Sequence, residues 1–525
     1  MRLSTINVLL STVMLIALAP PGAVAQEMPI TLGAAPSQDA MTLAENGVQK
    51  AVEALPDLVA KIIERSGVPG VAVAVVHDGK TVFSQGYGLR EIGKPDPITP
   101  ETVFQIASVS KPISATIAAI EITKGKAAWT DPVVKYLPDF KLSDPYVGSH
   151  ATIGDFFAHH TGLPPAAGDD LEDLGFSRNE IIAKLSQVPL DPFRASYHYA
   201  NFGTTIAGEA IAAASGKPWE ALAEEALYQP LGMASTSSRY KDYMARKNRA
   251  VLHALQDGKF QPLYQREPDA QAPAGGVSSN VVDLAEWLKL LLAGGSHNGG
   301  QLISEDVLLP VMSPQAVSSP AHAFDARTGF YGYGFNVGVT AGGHVNVNHS
   351  GAFALGAGTT INVNPAAKVG IVVLTNGSPI GVAEGIAVEF MDIVQFGVAT
   401  RDWYGAYHGV MAHMLDPEGD LAKMERPANP AAERPLDSYA GRYDNSYFGA
   451  AEIAKGPDGL VMTLGPRAQQ FKLSSWDGDT FAIEPTGENA PKGSRASVTF
   501  AASGEKVSGF TIDFYDANGL GSWSR

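Results

Sequence analysis

Phe104-Gln105-Ile106-Ala107-Ser108-Val109-Ser110-Lys111 is the stretch on which the reading of this chain turns. Ser108 and Lys111 form an S-x-x-K pattern, and the spacing predicts that a helix opens at the serine. One helical turn later Lys111 lies on the same face, its amine over the hydroxyl. A serine hydroxyl is a weak nucleophile until a neighbouring base takes its proton. A buried lysine is such a base when its pKa is pushed down. Alone the pattern is weak, because Ser238–Lys241 and Ser503–Lys506 match it too. Order supplies the rest: Tyr199-Ala200-Asn201 and then His349-Ser350-Gly351 follow Ser108. Each member has a plain competitor. Against the ordered set stand an N-cap of a surface helix for Ser108, a core aromatic for Tyr199, and a satisfied polar residue at a strand start for His349, and the order outweighs them.

Working outward, apolar residues recur at helical spacing from Met41 to Arg65, interrupted by Pro56. Val71–Val76 is a β-branched run, Asp78-Gly79 a hairpin turn, and Thr81–Tyr87 a returning strand. Helical patterns dominate between Ser108 and His349, clearest at Thr205–Ala214 and Val281–Leu292. Strand signals return in Gly334–Val339, His344–Asn348, Thr359–Val363 and Val369–Leu374, before a helix from Ile380 to about Phe396. A helix with strands at both ends and helices between predicts an α/β sandwich: an antiparallel sheet flanked by helices, with an inserted helical region. Its span is residues 41–414. Residues 415–435, rich in Pro, Ala and charge, read as a linker. Residues 436–525 alternate short strands (Gly459–Leu464, Gln470–Ser474, Thr480–Ile483, Ser497–Phe500, Phe510–Tyr515) with turn residues, the pattern of a small antiparallel β-barrel.

At 525 residues the chain needs a large core and at least one further unit. A formal charge of −16 argues against nucleic acid or an anionic membrane as partner. Arg2, the apolar run Val8–Ala19 and the small residues Ala23-Val24-Ala25 read as a signal peptide (residues 1–25), cleaved after Ala25 and followed by a flexible lead-in to residue 40. The rival reading is an uncleaved anchor. The expected location is the periplasm or the medium, with no membrane span in the mature chain. No cysteine occurs, which removes disulfides, thiolate metal sites and cysteine nucleophiles. There is no G-x-S-x-G elbow, and His159-His160 lacks an H-E-x-x-H frame.

The ordered set FQIASVSK, Tyr199-Ala200-Asn201 and His349-Ser350-Gly351 closely resembles the serine β-lactamase-like family. That group spans class C β-lactamases, D-alanyl-D-alanine carboxypeptidases, D-aminopeptidases, and related peptidases and esterases. Phe156–Leu163 and Ala274–Leu291 match its scaffolding. The resemblance implies acyl transfer: Ser108 as nucleophile, Lys111 and Tyr199 sharing the proton work, and Asn201 orienting Lys111 and the substrate amide. The Ser108 and Ala352 amides would form the oxyanion hole beside Gly351. It implies no metal and no organic cofactor. Whether Lys111 or Tyr199 is the base stays open at this level.

One departure matters. Lactamases and many penicillin-binding relatives carry Lys-Thr-Gly where this chain has His349-Ser350-Gly351, replacing a fixed cation by a group expected near half-titration around neutral pH. This moves the expectation from a β-lactamase towards a peptidase acting on small or linear peptides, including those with D-residues. A carboxylesterase of the same fold is the alternative, and a silent penicillin-recognising or ligand-binding module is a third. The expected partner is a small peptide, amide or ester, and a homo-oligomer is compatible with the sequence. The C-terminal unit resembles the lipocalin-like domain appended to some such peptidases, through Tyr439–Tyr443 and Trp476–Phe481.

Overall fold

Alternating valines build the centre of the molecule. In the computed structural model, which describes residues 30–31, 39–504 and 506–525, helix α1 (Gly47–Ser66) leads into an antiparallel hairpin of β1 (Gly70–His77) and β2 (Lys80–Gly88). Val71, Val73 and Val75 of β1 face α1, while Ala72, Ala74 and Val76 face the opposite layer, and all six are fully buried. A strand covered on both faces reads as a continuous apolar run, and each such valine contributes roughly 1.5–3 kcal/mol. The expected signal peptide and most of the expected lead-in lie outside the described residues. Ile30–Thr31 pairs with Ala40–Met41.

The inserted region carries α2 (Ser110–Thr123), α3 (Asp169–Asp173), α4 (Asn201–Ser215) and α5 (Val281–Leu292). The chain then returns to the sheet as β3 (Ala316–Ser319), β4 (Gly329–Tyr331), β5 (Asn336–Val339), β6 (Val345–Phe353), β7 (Ala357–Asn364) and β8 (Val369–Thr375). The order β3-β4-β5-β6-β7-β8-β1-β2 is antiparallel throughout, and the β8–β1 pairing joins the two ends of the unit. Helices α6 (Val382–Phe396) and α1 cover one face, with α7 (Trp403–Met411) against α6. Helix α5 and the inserted region cover the other.

Five details differ from expectation. Helix α1 runs unbroken through Pro56, which sits on its half-exposed flank. Helix α4 opens at Asn201, four residues before the predicted start, because Ala200 is extended and its carbonyl already accepts from Gly203. Strand β6 reaches Phe353, placing His349 inside a strand rather than at its start. Gly334 is a turn, its φ of 78° set by close approach to the Lys111 carbonyl. Residues 416–435 form no helix or strand but are tied along the barrel: Leu421 packs with Trp476 and Ala482, and Arg434 pairs with Asp479.

The barrel has eight strands: β9 (Gly441–Tyr443), β10 (Ala451–Gly456), β11 (Gly459–Leu464), β12 (Gln469–Asp477), β13 (Thr480–Ile483), β14 (Ala496–Ser503), β15 (Lys506–Ile512) and β16 (Ser522–Ser524). Consecutive strands pair antiparallel, and an Asp444–Ser524 bridge nearly closes the ring. Tyr443, Met462, Phe481, Phe500, Phe510 and Trp523 fill its interior, Phe510 stacked on Trp523 at 5.2 Å. Expectation missed β9, β10 and β16. Ala, Glu and Lys give β10 little strand propensity of its own, yet its buried–exposed alternation is clear over Ala451–Ala454. One apolar core runs from α3 (Leu171, with Leu174 and Phe176) into the barrel (Tyr447, Phe448, Tyr515).

Candidate active site

Ser108 stands on a single tight turn, Ala107–Val109, immediately before α2. Ala107 takes φ 47°, a left-handed conformation that costs a non-glycine residue about 1–3 kcal/mol. Its surroundings hold it there. Ala107 is buried among Leu252, Phe353 and Ala357. Ser110 Oγ donates to the Ala107 carbonyl at 2.6 Å and accepts from Val277 N–H at 3.0 Å.

Lys111, the second residue of α2, is fully buried. Its Nζ lies 3.0 Å from Ser108 Oγ, 2.7 Å from Asn201 Oδ1 and 3.1 Å from the Ala274 carbonyl. Burial lowers its pKa to about 7, against a smaller upward pull from Asp169. A neutral amine has two N–H groups and one lone pair. Asn201 and Ala274 can only accept from it, so the lone pair falls to Ser108. The Tyr199 ring lies 4.5 Å from Nζ, and its hydroxyl reaches the Ser108 side chain. Burial raises the Tyr199 phenol far above its usual range, with the Ser108 hydrogen bond opposing, so it remains a neutral donor.

Asn201, at the first position of α4, bridges inward: its Nδ2 donates to Asp169 Oδ2 at 2.8 Å. Asp169 is itself buried. That burial, with Glu172 and Asp170 nearby, holds its carboxyl well above the usual range, against the pull of Asn201 and Lys111.

His349 faces this group from β6. Its Nδ1 is 2.7 Å from the Ser350 carbonyl and its Nε2 2.9 Å from Tyr331 Oη. A carbonyl only accepts, so Nδ1 carries the hydrogen and Nε2 accepts from the tyrosine. Burial, then Lys111, lowers its pKa to about 3, with the Ser350 bond opposing. The expectation of a half-titrated group near neutral pH is corrected: the imidazole is neutral and its second nitrogen is occupied. His159, buried behind, accepts from Ala200 N–H at 3.3 Å and packs with its ring tilted against those of Tyr199 and Tyr331.

Gly351 has no room for a side chain. A Cβ there would lie 2.3 Å from the Ile106 carbonyl, 2.4 Å from Thr359 Oγ1 and 3.0 Å from Ser108 N. The strand therefore runs directly beside the Ser108 amide, with Ala352 next. Strand β5 pairs with β6 only as far as Asn348, so among the described residues the outer edge of 349–353 has no strand partner. The site is defined by this chemistry and not by cavity size. A cavity of about 790 Å³ beside α1 is lined by none of these residues.

Ser108, Lys111, Tyr199, Asn201, His349 and Gly351 come together here, and Ala352 follows Gly351 along β6. Expectation missed Tyr331, the Ala274 carbonyl and Asp169. A run of four carboxylates around one leucine, Asp169-Asp170-Leu171-Glu172-Asp173, was the available signal for the last. Ser238, the decoy, is buried against Tyr228 Oη at 2.8 Å.

The fold and this constellation define a serine hydrolase of the β-lactamase type. The model of the beta-lactamase family matches residues 50–391, so the chain belongs to the beta-lactamase family; a model described as a domain of unknown function (DUF3471) matches 425–519. Unguisins hydrolase of Aspergillus violaceofuscus is 25% identical over 475 residues, covering 83% of this chain and 81% of that protein. The octameric penicillin-binding protein homologue of Pyrococcus abyssi superposes with TM-score 0.58 at 20% identity, over 90% of this chain and all of that one. SurE, in its structure with D-Leu, gives 0.53 at 20% identity, covering 91% and 100%.

Proposed function

We propose that the protein is an exported serine hydrolase that cleaves amide bonds of small or linear peptides through an acyl-enzyme on Ser108. The observation that carries this reading is the 3.0 Å contact of Ser108 Oγ with a buried Lys111 whose pKa falls to about 7. Neutral Lys111 takes the Ser108 proton as Oγ attacks the carbonyl carbon. The Ser108 and Ala352 N–H groups receive the developing oxyanion. Lys111, with the Tyr199 hydroxyl as relay, returns the proton to the leaving nitrogen. Water then attacks the acyl carbonyl, Lys111 again taking the proton, and Ser108 is released. Lys111 is the base because Tyr199 is held as a phenol.

A neutral His349 offers no fixed charge to a substrate carboxylate, which favours uncharged flanking groups over β-lactams and free C-termini. The likenesses to a protein named unguisins hydrolase and to one crystallised with D-Leu favour peptides, with D-residues in the test set. A carboxylesterase is the second reading, favoured by the aromatic wall of Tyr197, Tyr199 and Tyr331. Among the described residues no helix is long and apolar enough to cross a membrane. With residues 1–25 as signal peptide, 41–414 as catalytic domain and 436–525 as barrel domain, the protein acts in the periplasm or outside the cell. The octameric relative makes a homo-oligomer worth measuring.

Intact-mass analysis with a fluorophosphonate and with penicillin, followed by peptides paired in L and D forms and short p-nitrophenyl esters, tests the reading. Ser108→Ala should abolish the adduct and lower turnover by about 10³-fold or more. A wild-type protein that takes no acyl or phosphonyl group at Ser108 would overturn it.

A further inference from the structure

The β6–β7 hairpin turns at 354–356, and its first amides are taken by a residue of the barrel. Ala354 N–H donates to Glu488 Oε1 at 2.6 Å and Leu355 N–H to Glu488 Oε2 at 3.4 Å. Glu488 lies in the loop between β13 and β14, so the acceptor reaches across from one unit to the other.

That loop is fixed to the sandwich by its neighbours. Gly487 presses on α3, where a Cβ would lie 2.7 Å from the Asp173 carboxylate. Asn489 donates to Asp173 Oδ2 through N–H at 3.3 Å and Nδ2 at 3.2 Å. Lys492 pairs with Asp257 at 2.6 Å. Beneath the turn, Arg266 lies over the Phe353 ring at 5.2 Å, pairs with Glu172, and approaches Glu488 Oε2 at 3.9 Å.

We propose that Glu488 is a positioning residue: the barrel loop clamps the β6–β7 turn and so holds the Ala352 amide beside Ser108. Its catalytic consequence rests on the oxyanion reading given above. The need is physical. Residues 349–353 have a strand partner on one side only, and Ala354 lies two positions beyond Ala352. A misplacement of about 1 Å in such a group costs on the order of 10²-fold in rate. Glu488 is not a free acid awaiting a substrate amine, because both of its oxygens face hairpin amides. Burial raises its pKa to about 8, with Arg266 and the amides opposing. A carboxyl oxygen accepts the Ala354 N–H in either protonation state, which makes glutamine the conservative replacement.

The test uses the full chain and three variants: Glu488→Ala, Glu488→Asp, which keeps the carboxyl group but withdraws the acceptor by one carbon, and Glu488→Gln. In Glu488→Ala and Glu488→Asp, kcat on a short p-nitrophenyl ester should fall about tenfold or more with KM within about twofold, and the Ala354 and Leu355 amides should exchange about tenfold faster with solvent. Glu488→Gln, whose one carboxamide oxygen can still accept from Ala354 N–H, should stay within about threefold of wild type in kcat and in Ala354 exchange, while Leu355 N–H loses its acceptor. Unchanged kcat and unchanged protection in Glu488→Asp, or equal damage in Glu488→Gln and Glu488→Asp, would overturn the clamp. A wild-type protein inert to every substrate would sink the hydrolase reading instead, and amide exchange would still decide the clamp.

Discussion

The two banks of the site are held in different ways. The Ser108–Lys111 bank is locked from within: Ala107 is pinned in a left-handed turn, Ser110 ties it to Val277, and Lys111 is gripped by Asn201 and Ala274. The His349–Ala354 bank is the end of a strand with one free edge. Its side chains are neutral, its glycine is pressed against the opposite bank, and its turn is capped by Glu488 of the barrel. The first bank carries the proton chemistry, and the second supplies shape. Damage to the first should therefore appear as lost ionisation behaviour, and damage to the second as lost geometry at an unchanged pH dependence.

The largest break is Lys111→Ala, which should lower kcat/KM by roughly 10²–10⁴-fold. In the wild type the required form is the neutral amine, and its pKa is lowered from 10.5 to about 7. Activity should thus rise with pH through about 7 and level off above it, and that limb should vanish in the variant. His349 adds no second limb near 6, because it remains neutral down to about 3. For stability the sign is separate. A base whose folded pKa is lowered makes the unfolded state bind the extra proton, so His349 costs stability as pH falls below 6.5. A pH–rate profile from 5 to 9 checks both points, and a limb centred near 6 would reassign the base.

Gly351→Ala strikes the seam between the banks. The new Cβ would meet backbone at 2.3 Å, so β6 or the Ser108 turn must move. The expected cost is about 1–3 kcal/mol in stability and on the order of 10²-fold in kcat, with the pH midpoint still about 7. Thermal melts with a pH–rate profile measure both, and a shifted midpoint would mean that the two banks do not separate in this way.

The two banks also differ in how far sequence discloses them. Ser108 and Lys111 are legible because one helical turn fixes their geometry, and the strands of the sheet because β-branched runs are buried on both faces. Tyr199, Asn201 and His349 are legible only as an ordered set, since no local spacing brings them to Ser108. Asp169 is marked only by its acidic run and Glu488 by no motif. Each meets its partners, Asn201 and the β6–β7 turn, through contacts between segments remote in sequence. The titration of His349 was misjudged for the same reason: its partners, Tyr331 and the Lys111 amine, come from elements remote in sequence.

The finest test asks whether Asp169 is a charge or a shape. It supports Asn201 at 2.8 Å, and an ionised carboxylate there would hold Lys111 protonated and raise its pKa. Burial beside Glu172 and Asp170 instead favours the protonated acid, for which asparagine is nearly isosteric. Asp169→Asn should then keep kcat/KM within about threefold and lower the pH midpoint by less than a unit, since it removes only the smaller upward pull that Asp169 exerts on Lys111. Stability gives an independent sign. An acid whose folded pKa is raised binds its proton more tightly when folded, so its contribution is lost as pH climbs above 3.8. The variant should therefore melt no lower than wild type at pH 6, and its relative stability should improve towards pH 9. If the midpoint instead falls by a unit or more, Asp169 is the counter-ion of Lys111, and the first bank works as an ion pair rather than as a chain of neutral donors and acceptors.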